Sequence, residues 1–244
     1  MNIEKISKKD EINRILENMP AELELAVDLP SRGRFYKLKD DTMPITVRAM
    51  KFEDEKLVAD SSRKKADPVN TLLHRCVKNV DIDELFVFDK LAILLKIREA
   101  TYGPEYEFDQ VCNACSMKSQ VKFNLNDLIL TEVPNDFTGK EEILLPVLQK
   151  KAIIRHPRVK EEHYLKDLNV KNLWRFVVSI DGCEQSDIIG EVLRKMPLRD
   201  VHALIKEIGG EKYGLDPKMN FRCPECEEEE VIGLPIGTDF FYMS

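Results

Sequence analysis

Two cysteine pairs, Cys112-Asn113-Ala114-Cys115 and Cys223-Pro224-Glu225-Cys226, carry the clearest chemistry in this chain. Each Cys-x2-Cys turn aims two sulfurs at one point, and two such turns supply the four thiolates of a tetrahedral structural zinc site. Residues 116 to 222 lie between them, far more than a compact zinc ribbon uses. Either one metal ties distant parts of the fold together, or the pairs are unrelated turns holding reduced cysteines. Four thiolates fill the coordination shell and leave no position for water or substrate, so the expected cofactor is one structural Zn2+, with iron the alternative metal. Such a centre carries a local charge of about minus two. Lys118, Lys218 and Arg222 are candidate cations around it, or ordinary surface charges.

The elements that must position these sulfurs are hairpins. Glu105 to Val111 and Gln120 to Leu125 alternate with the period of half-buried strands on either side of the first pair. Met219 to Arg222 and Val231 to Leu234 flank the second in the same way, and Pro224 fixes one torsion in its turn. Upstream, Ser7 starts a short amphipathic helix with Ile12, Ile15, Leu16 and Met19 at helical spacing, ended by Pro20. Leu23 to Leu29 and Ile45 to Met50 read as strands, and roughly 52 to 60, 67 to 80 and 84 to 100 as helices. Between the knuckles most of the chain reads as helix, with one strand near Phe176 to Ile180. There Ser186-Asp187 can cap one helix of an αα-hairpin, and Pro197 opens the other, which runs to Gly209-Gly210. Trp174 reads as a core anchor.

The expected fold is α+β, a small β part bearing two zinc-knuckle hairpins with a mostly helical insertion between them. Its parts are an N-terminal helix (1–22), a strand and helix region ending in the first knuckle (23–126), the insertion (127–217), and the second knuckle with an apolar tail (218–244).

Other chemistry finds little support. Cys76 lies on an apolar helical stripe, and Cys183 follows Asp181-Gly182 at a turn. His74, His156, His163 and His202 fall in separate elements, and no phosphate loop or nucleophile elbow occurs. No catalytic residue, small-molecule substrate or enzyme activity is expected. The 244 residues are 43% hydrophobic and carry 44 acidic against 37 basic side chains, a formal charge of −7. This favours protein partners over nucleic acid, whose phosphates need a basic face. The run Glu227 to Glu230 on a knuckle opposes phosphate in particular. No stretch is long and apolar enough to span a bilayer, and Met1-Asn2-Ile3-Glu4-Lys5 lacks the core of a secretion signal, so a reducing cytoplasm is expected.

Leu29-Pro30-Ser31-Arg32-Gly33-Arg34-Phe35-Tyr36, then Ile45 to Met50 and Glu53-Asp54-Glu55, resembles the baseplate protein family of T4-type tailed bacteriophages. The helix ending Arg98-Glu99-Ala100-Thr101-Tyr102-Gly103, both knuckles and the closing Phe240-Phe241 are similar to that family in the same order, from about residue 28 to the end. One departure is that Tyr242-Met243-Ser244 follows the paired aromatics where the family often has Pro. The resemblance implies a baseplate hub subunit or a hub assembly chaperone, with other hub or tail proteins as partners. It places the chain in the host cytoplasm during assembly or in the virion tail. A zinc-ribbon nucleic-acid or transcription module is the alternative. The apolar tail must be covered. Phe240, Phe241 and Tyr242 either pack on the chain's own core or insert into a partner.

Overall fold

The computed structural model describes residues 7–17, 23–63, 67–169, 171–209 and 212–241, and these fold as α+β, with seven α-helices and five small antiparallel sheets. Helix α1 (Lys8–Leu16) starts at Ser7, whose hydroxyl accepts the Asp10 N–H. None of its residues is buried, so Ile12, Ile15 and Leu16 face solvent. Met19 and Pro20 lie outside the described residues.

The first sheet joins β1 (Glu24–Ala26), β2 (Thr46–Arg48) and β3 (Val77–Lys78), with Val47 paired to both Leu25 and Val77. Helices α2 (Phe52–Arg63) and α3 (Pro68–Cys76) lie between β2 and β3. Asp67 caps α3 and Pro68 follows, where the absent N–H would have had no helical partner anyway. The helix expected over 67–80 therefore stops short. Val77 is β-branched and finds a ladder partner in Val47, which converts the chain to strand after Cys76.

Helix α4 (Val87–Tyr102) is the centre of the main core, burying Phe88, Ile93, Leu94, Leu95 and Ile97, and Gly103 stops it at φ 86. It also buries Asp89. The Ser31 N–H donates to one Asp89 oxygen at 2.9 Å, and the Tyr36 hydroxyl donates to the other. Tyr36 in turn accepts the Phe86 N–H at 3.0 Å. The segment Leu29 to Tyr36 is thus pinned to the first turn of α4 by one carboxylate, with Arg32 and Gly33 in left-handed conformations between the pins.

The polypeptide continues into β4 (Glu105–Val111) and β5 (Lys118–Asn124), a hairpin with the first cysteine pair at its tip. The short strands β6 (Leu130–Thr131) and β10 (Gly214–Leu215) pair where the insertion leaves and returns. Inside it, β7 (Lys140–Leu144), β8 (Lys151–Arg155) and β9 (Val177–Ile180) form a sheet, accompanied by α5 (Glu162–Leu165), α6 (Ser186–Lys195) and α7 (Leu198–Gly209). The mostly helical expectation for 127–217 is corrected here. Lys140-Glu141-Glu142-Ile143-Leu144 carries too few buried side chains to announce a strand, yet it pairs along its whole length with β8. Leu145, Ala152, Ile154, Phe176, Ile189, Leu193 and Leu204 make this second core. Phe176, fully buried, anchors it, while Trp174 packs at its edge and donates from Nε1 to the Lys171 carbonyl at 2.8 Å. Gln185 rather than Ser186 precedes α6, and no side chain caps it.

The last hairpin, β11 (Lys218–Arg222) with β12 (Glu229–Gly233), carries the second cysteine pair. Beyond it Phe240 and Phe241 return to the main core, 0% and 2% exposed. Arg98 lies over the Phe240, Tyr102 and Tyr106 rings, and the two tyrosine hydroxyls donate to the Phe241 and Pro235 carbonyls. Of the two alternatives for Phe240 and Phe241, packing on the chain's own core is the arrangement seen here, with both rings used internally. Tyr242 lies outside the described residues.

Candidate metal centre

The two knuckles have the same backbone. In each, the first cysteine donates its N–H to a carbonyl beyond the turn, Cys112 to Met117 and Cys223 to Glu228, both at 2.9 Å. Its own carbonyl accepts an N–H from the residue after the second cysteine, Ser116 at 2.9 Å and Glu227 at 3.0 Å. Those two residues take left-handed conformations, φ 62 and φ 60, which folds each pair back over its hairpin. Beneath lies a small shared core of Cys112, Val121, Phe221, Cys223 and Ile232, with Phe108 and Met219 against it.

The four sulfurs converge. Cys112 Sγ lies 3.7 Å from Cys226 Sγ, Cys115 Sγ lies 3.6 Å from Cys223 Sγ, and all four are within 4.8 Å of one another. The contacts run crosswise, the buried cysteine of one knuckle meeting the exposed cysteine of the other. The separations are far beyond a disulfide bond of about 2.05 Å. They match a zinc tetrahedron, in which bonds of about 2.3 Å space the sulfurs by roughly 3.8 Å. The residues therefore fit a closed four-sulfur metal ion site and can hold one.

The backbone already favours thiolate at one position. N–H groups of Cys226 and Glu225 aim at the Cys223 sulfur and bring its pKa down to about 7. At Cys226 the Glu228 N–H acts in the same direction, but the neighbouring sulfurs outweigh it and push the thiol up to about 12. Four thiolates cannot crowd together without a compensating cation, which a dication supplies. Lys118, Lys218 and Arg222 do not serve that purpose. They pair with Asp109 at 2.8 Å, Asp216 at 3.6 Å and Glu227 at 2.7 Å. The hairpins are instead linked by the Asn113 side-chain amide, which donates to Glu230.

The remaining candidates stay apart. Cys76 is buried in the main core, and Cys183 closes the turn after β9 with Asp181 and Gly182 at positive φ. His156 alone among the histidines is buried, within an aromatic cage of Phe86, Phe88, Phe137 and Tyr213. Buried carboxylates escaped sequence reading. Asp54, inside the acidic helix start, receives Arg48 at 2.6 and 3.0 Å and Arg75 at 2.6 Å. Burial alone would raise its pKa, but the Arg48 and Arg75 guanidiniums and the Lys51 N–H hold it well below the usual carboxylate range. An acidic residue in the first turn of a helix is ordinarily solvated, so nothing in the local pattern marks Asp54 or Asp89 as buried.

Among the described residues no helix is long and apolar enough to cross a membrane. Comparison with curated proteins and with solved structures returned no match. The family model for the T4 bacteriophage base plate protein, by contrast, matches residues 21–242, a span that takes in the Leu29 to Tyr36 segment, both knuckles and the buried Phe240-Phe241. The chain belongs to the T4 bacteriophage base plate protein family.

Proposed function

We propose that this protein is a non-enzymatic component of the baseplate hub of a contractile tail, acting as a hub subunit or as a factor that assembles the hub through protein–protein contacts. Cys112, Cys115, Cys223 and Cys226 hold one structural zinc in this reading. The observation that carries it is the convergence of four sulfurs from the middle and the last part of a family-matched chain. A closed thiolate shell supplies rigidity and no reactive position. When bound, the metal fastens the β4–β5 hairpin to the β11–β12 hairpin, and the parts of the chain between and before them are held as one shape for neighbouring proteins to recognise.

Against the nucleic-acid alternative stand Glu225, Glu227, Glu228 and Glu229, all exposed at the second knuckle, where they would repel phosphate. The protein then works in the host cytoplasm during assembly and in the virion tail if it remains there. Two measurements test the reading. The native mass should exceed the chain mass by one zinc, and an apo mass after purification without chelator would overturn the metal. Mass spectrometry of purified virions and of tail intermediates should find the chain with other baseplate proteins: in both if it is a subunit, in intermediates alone if it is an assembly factor. Its absence from both would overturn the baseplate role.

A further inference from the structure

A third turn repeats the knuckle backbone without cysteines. Leu145 donates its N–H to the Lys150 carbonyl at 2.9 Å and accepts the Gln149 N–H at 2.9 Å, while Gln149 sits at φ 53. Where the sulfur of a knuckle would receive backbone N–H groups, the Asp200 carboxylate of α7 receives them, from Val147 at 2.6 Å and Leu148 at 3.0 Å. Asp200 is fully buried. A buried carboxylate without such donors would be strongly penalised, so the turn and the start of α7 form one rigid body.

That rigid body displays apolar side chains outward. Leu144, Val147, Leu148 and, from α7, Leu198 are 58%, 45%, 39% and 71% exposed. Along the exposed side of α7 the charge is mainly positive, the helix's Glu207 being half-buried. Lys195 and Arg199 flank Leu198, with His202 and Lys206 further along the exposed side of α7, and among the described residues none of the three cations meets a carboxylate. The nearby acids are engaged: Asp181 with Lys150, Glu142 with Lys151, and Asp200 inside the turn. On a chain of formal charge −7, this is a cationic surface with an apolar tip.

We infer that the Leu144–Leu148 turn and the first half of α7 dock a segment of another baseplate protein whose apolar anchors are flanked by carboxylates. The inference rests on the baseplate reading and names the surface and the chemistry of the partner. Anchors cover Leu144, Val147, Leu148 and Leu198, and the flanking carboxylates meet Lys195 and Arg199. Because the turn is already locked, little ordering entropy opposes binding.

The test places p-benzoylphenylalanine at 198, and at Ile129 as a control exposed elsewhere, in full-length protein during phage assembly, and sequences the crosslinked peptide. Expected is an adduct at 198, absent at 129, within an acid-flanked apolar segment of a different tail protein. A Val147→Ser/Leu198→Ser variant, first shown to keep wild-type metal content and Tm, should enter baseplate complexes at least roughly tenfold less, and Arg199→Glu should weaken entry too. An adduct to a basic segment or to a second copy of this chain, or normal entry of the double variant, overturns the inference. If the wild-type chain joins tail proteins while position 198 stays silent, only this surface is lost. If it joins none, the baseplate reading falls with it.

Discussion

Cys112 Sγ and Cys226 Sγ lie 3.7 Å apart although 114 positions separate them in the chain. This contact and its counterpart between Cys115 and Cys223 join two hairpins whose shared apolar core is small, whereas the main core and the core under α6 and α7 are each much larger. Metal loss should therefore loosen one region selectively.

Chelation should raise hydrogen exchange across Glu105–Asn124 and Lys218–Gly233 and leave the β8, α6 and α7 amides protected. Cys112→Ser and Cys226→Ser should reproduce that pattern to a similar degree, because each would delete one corner of the proposed tetrahedron. Structural zinc contributes roughly 10 kcal/mol or more in small peptides that fold around it. Here the other two cores bury many more apolar side chains than the one beneath the sulfurs, so a lower Tm with a still-folded protein is the expected result. Uniform exchange throughout the chain would contradict a local clasp.

Phe240 is fully buried, with its ring 4.8 Å from that of Tyr106 and under the Arg98 guanidinium. Phe240→Ala should cost about 3–5 kcal/mol, the usual consequence of emptying a buried aromatic site. Urea titration of the isolated protein measures it. A variant of unchanged stability that fails only in partner binding would decide for the interface role of the tail instead.

The hairpins, the cysteine set and α2 to α4 were legible because each rests on local pattern: period-two alternation beside Cys-x2-Cys, apolar stripes, and Gly103 as a stop. The crosswise meeting of Cys112 with Cys226 was legible only as an inference from metal chemistry, since no local rule joins residues so far apart. Strands β7 and β8 were hidden for a physical reason. Glu141 and Lys151 are polar residues in a sheet that buries one face only, and pairing between strands, not composition, holds them there. Asp89 and Asp200 were hidden because a buried carboxylate is defined by its donors, and those come from Ser31, Tyr36, Val147 and Leu148, remote in sequence.

Tyr36→Phe tests the clamp on the Leu29–Tyr36 segment. The substitution orphans the Phe86 N–H and removes one donor from Asp89, at about 1–3 kcal/mol for each buried group left unpaired. In a chain of this size Tm falls by about 2–4 °C per kcal/mol. Burial raises the Asp89 carboxyl to about 6, against the donors from Ser31 and Tyr36. Above that value Asp89 is ionised and depends on Tyr36 most, so the loss of Tm should be larger at pH 8 than at pH 5. An equal loss at both would mean that Asp89 does not depend on the Tyr36 donor.

His156 gives the clearest dependence on acid. Both of its ring nitrogens lack a hydrogen-bond partner, and burial lowers its pKa although Glu141, 3.5 Å away and itself bound by Lys212 and Tyr213, pulls the other way. A histidine whose folded pKa lies below its unfolded value of about 6.5 is neutral in the folded protein at pH 8, and the unfolded chain takes up the proton first as pH falls. Stability associated with it is thus complete above about pH 6.5 and declines below. Asp89 acts in the opposite sense, since a raised carboxyl binds its proton in the folded state between about pH 6 and 4 and adds stability there. His156→Phe separates the two. A phenyl ring suits a cage of Phe86, Phe88, Phe137 and Tyr213, beside a cavity of about 170 Å3 that can absorb its extra volume. Subtracting the wild-type unfolding free energy from that of the variant at each pH cancels Asp89. The difference should be near constant from pH 8 to 7 and then move in favour of the variant as pH drops to 5. A difference flat over the whole range would show that His156 titrates alike in the folded and unfolded chain.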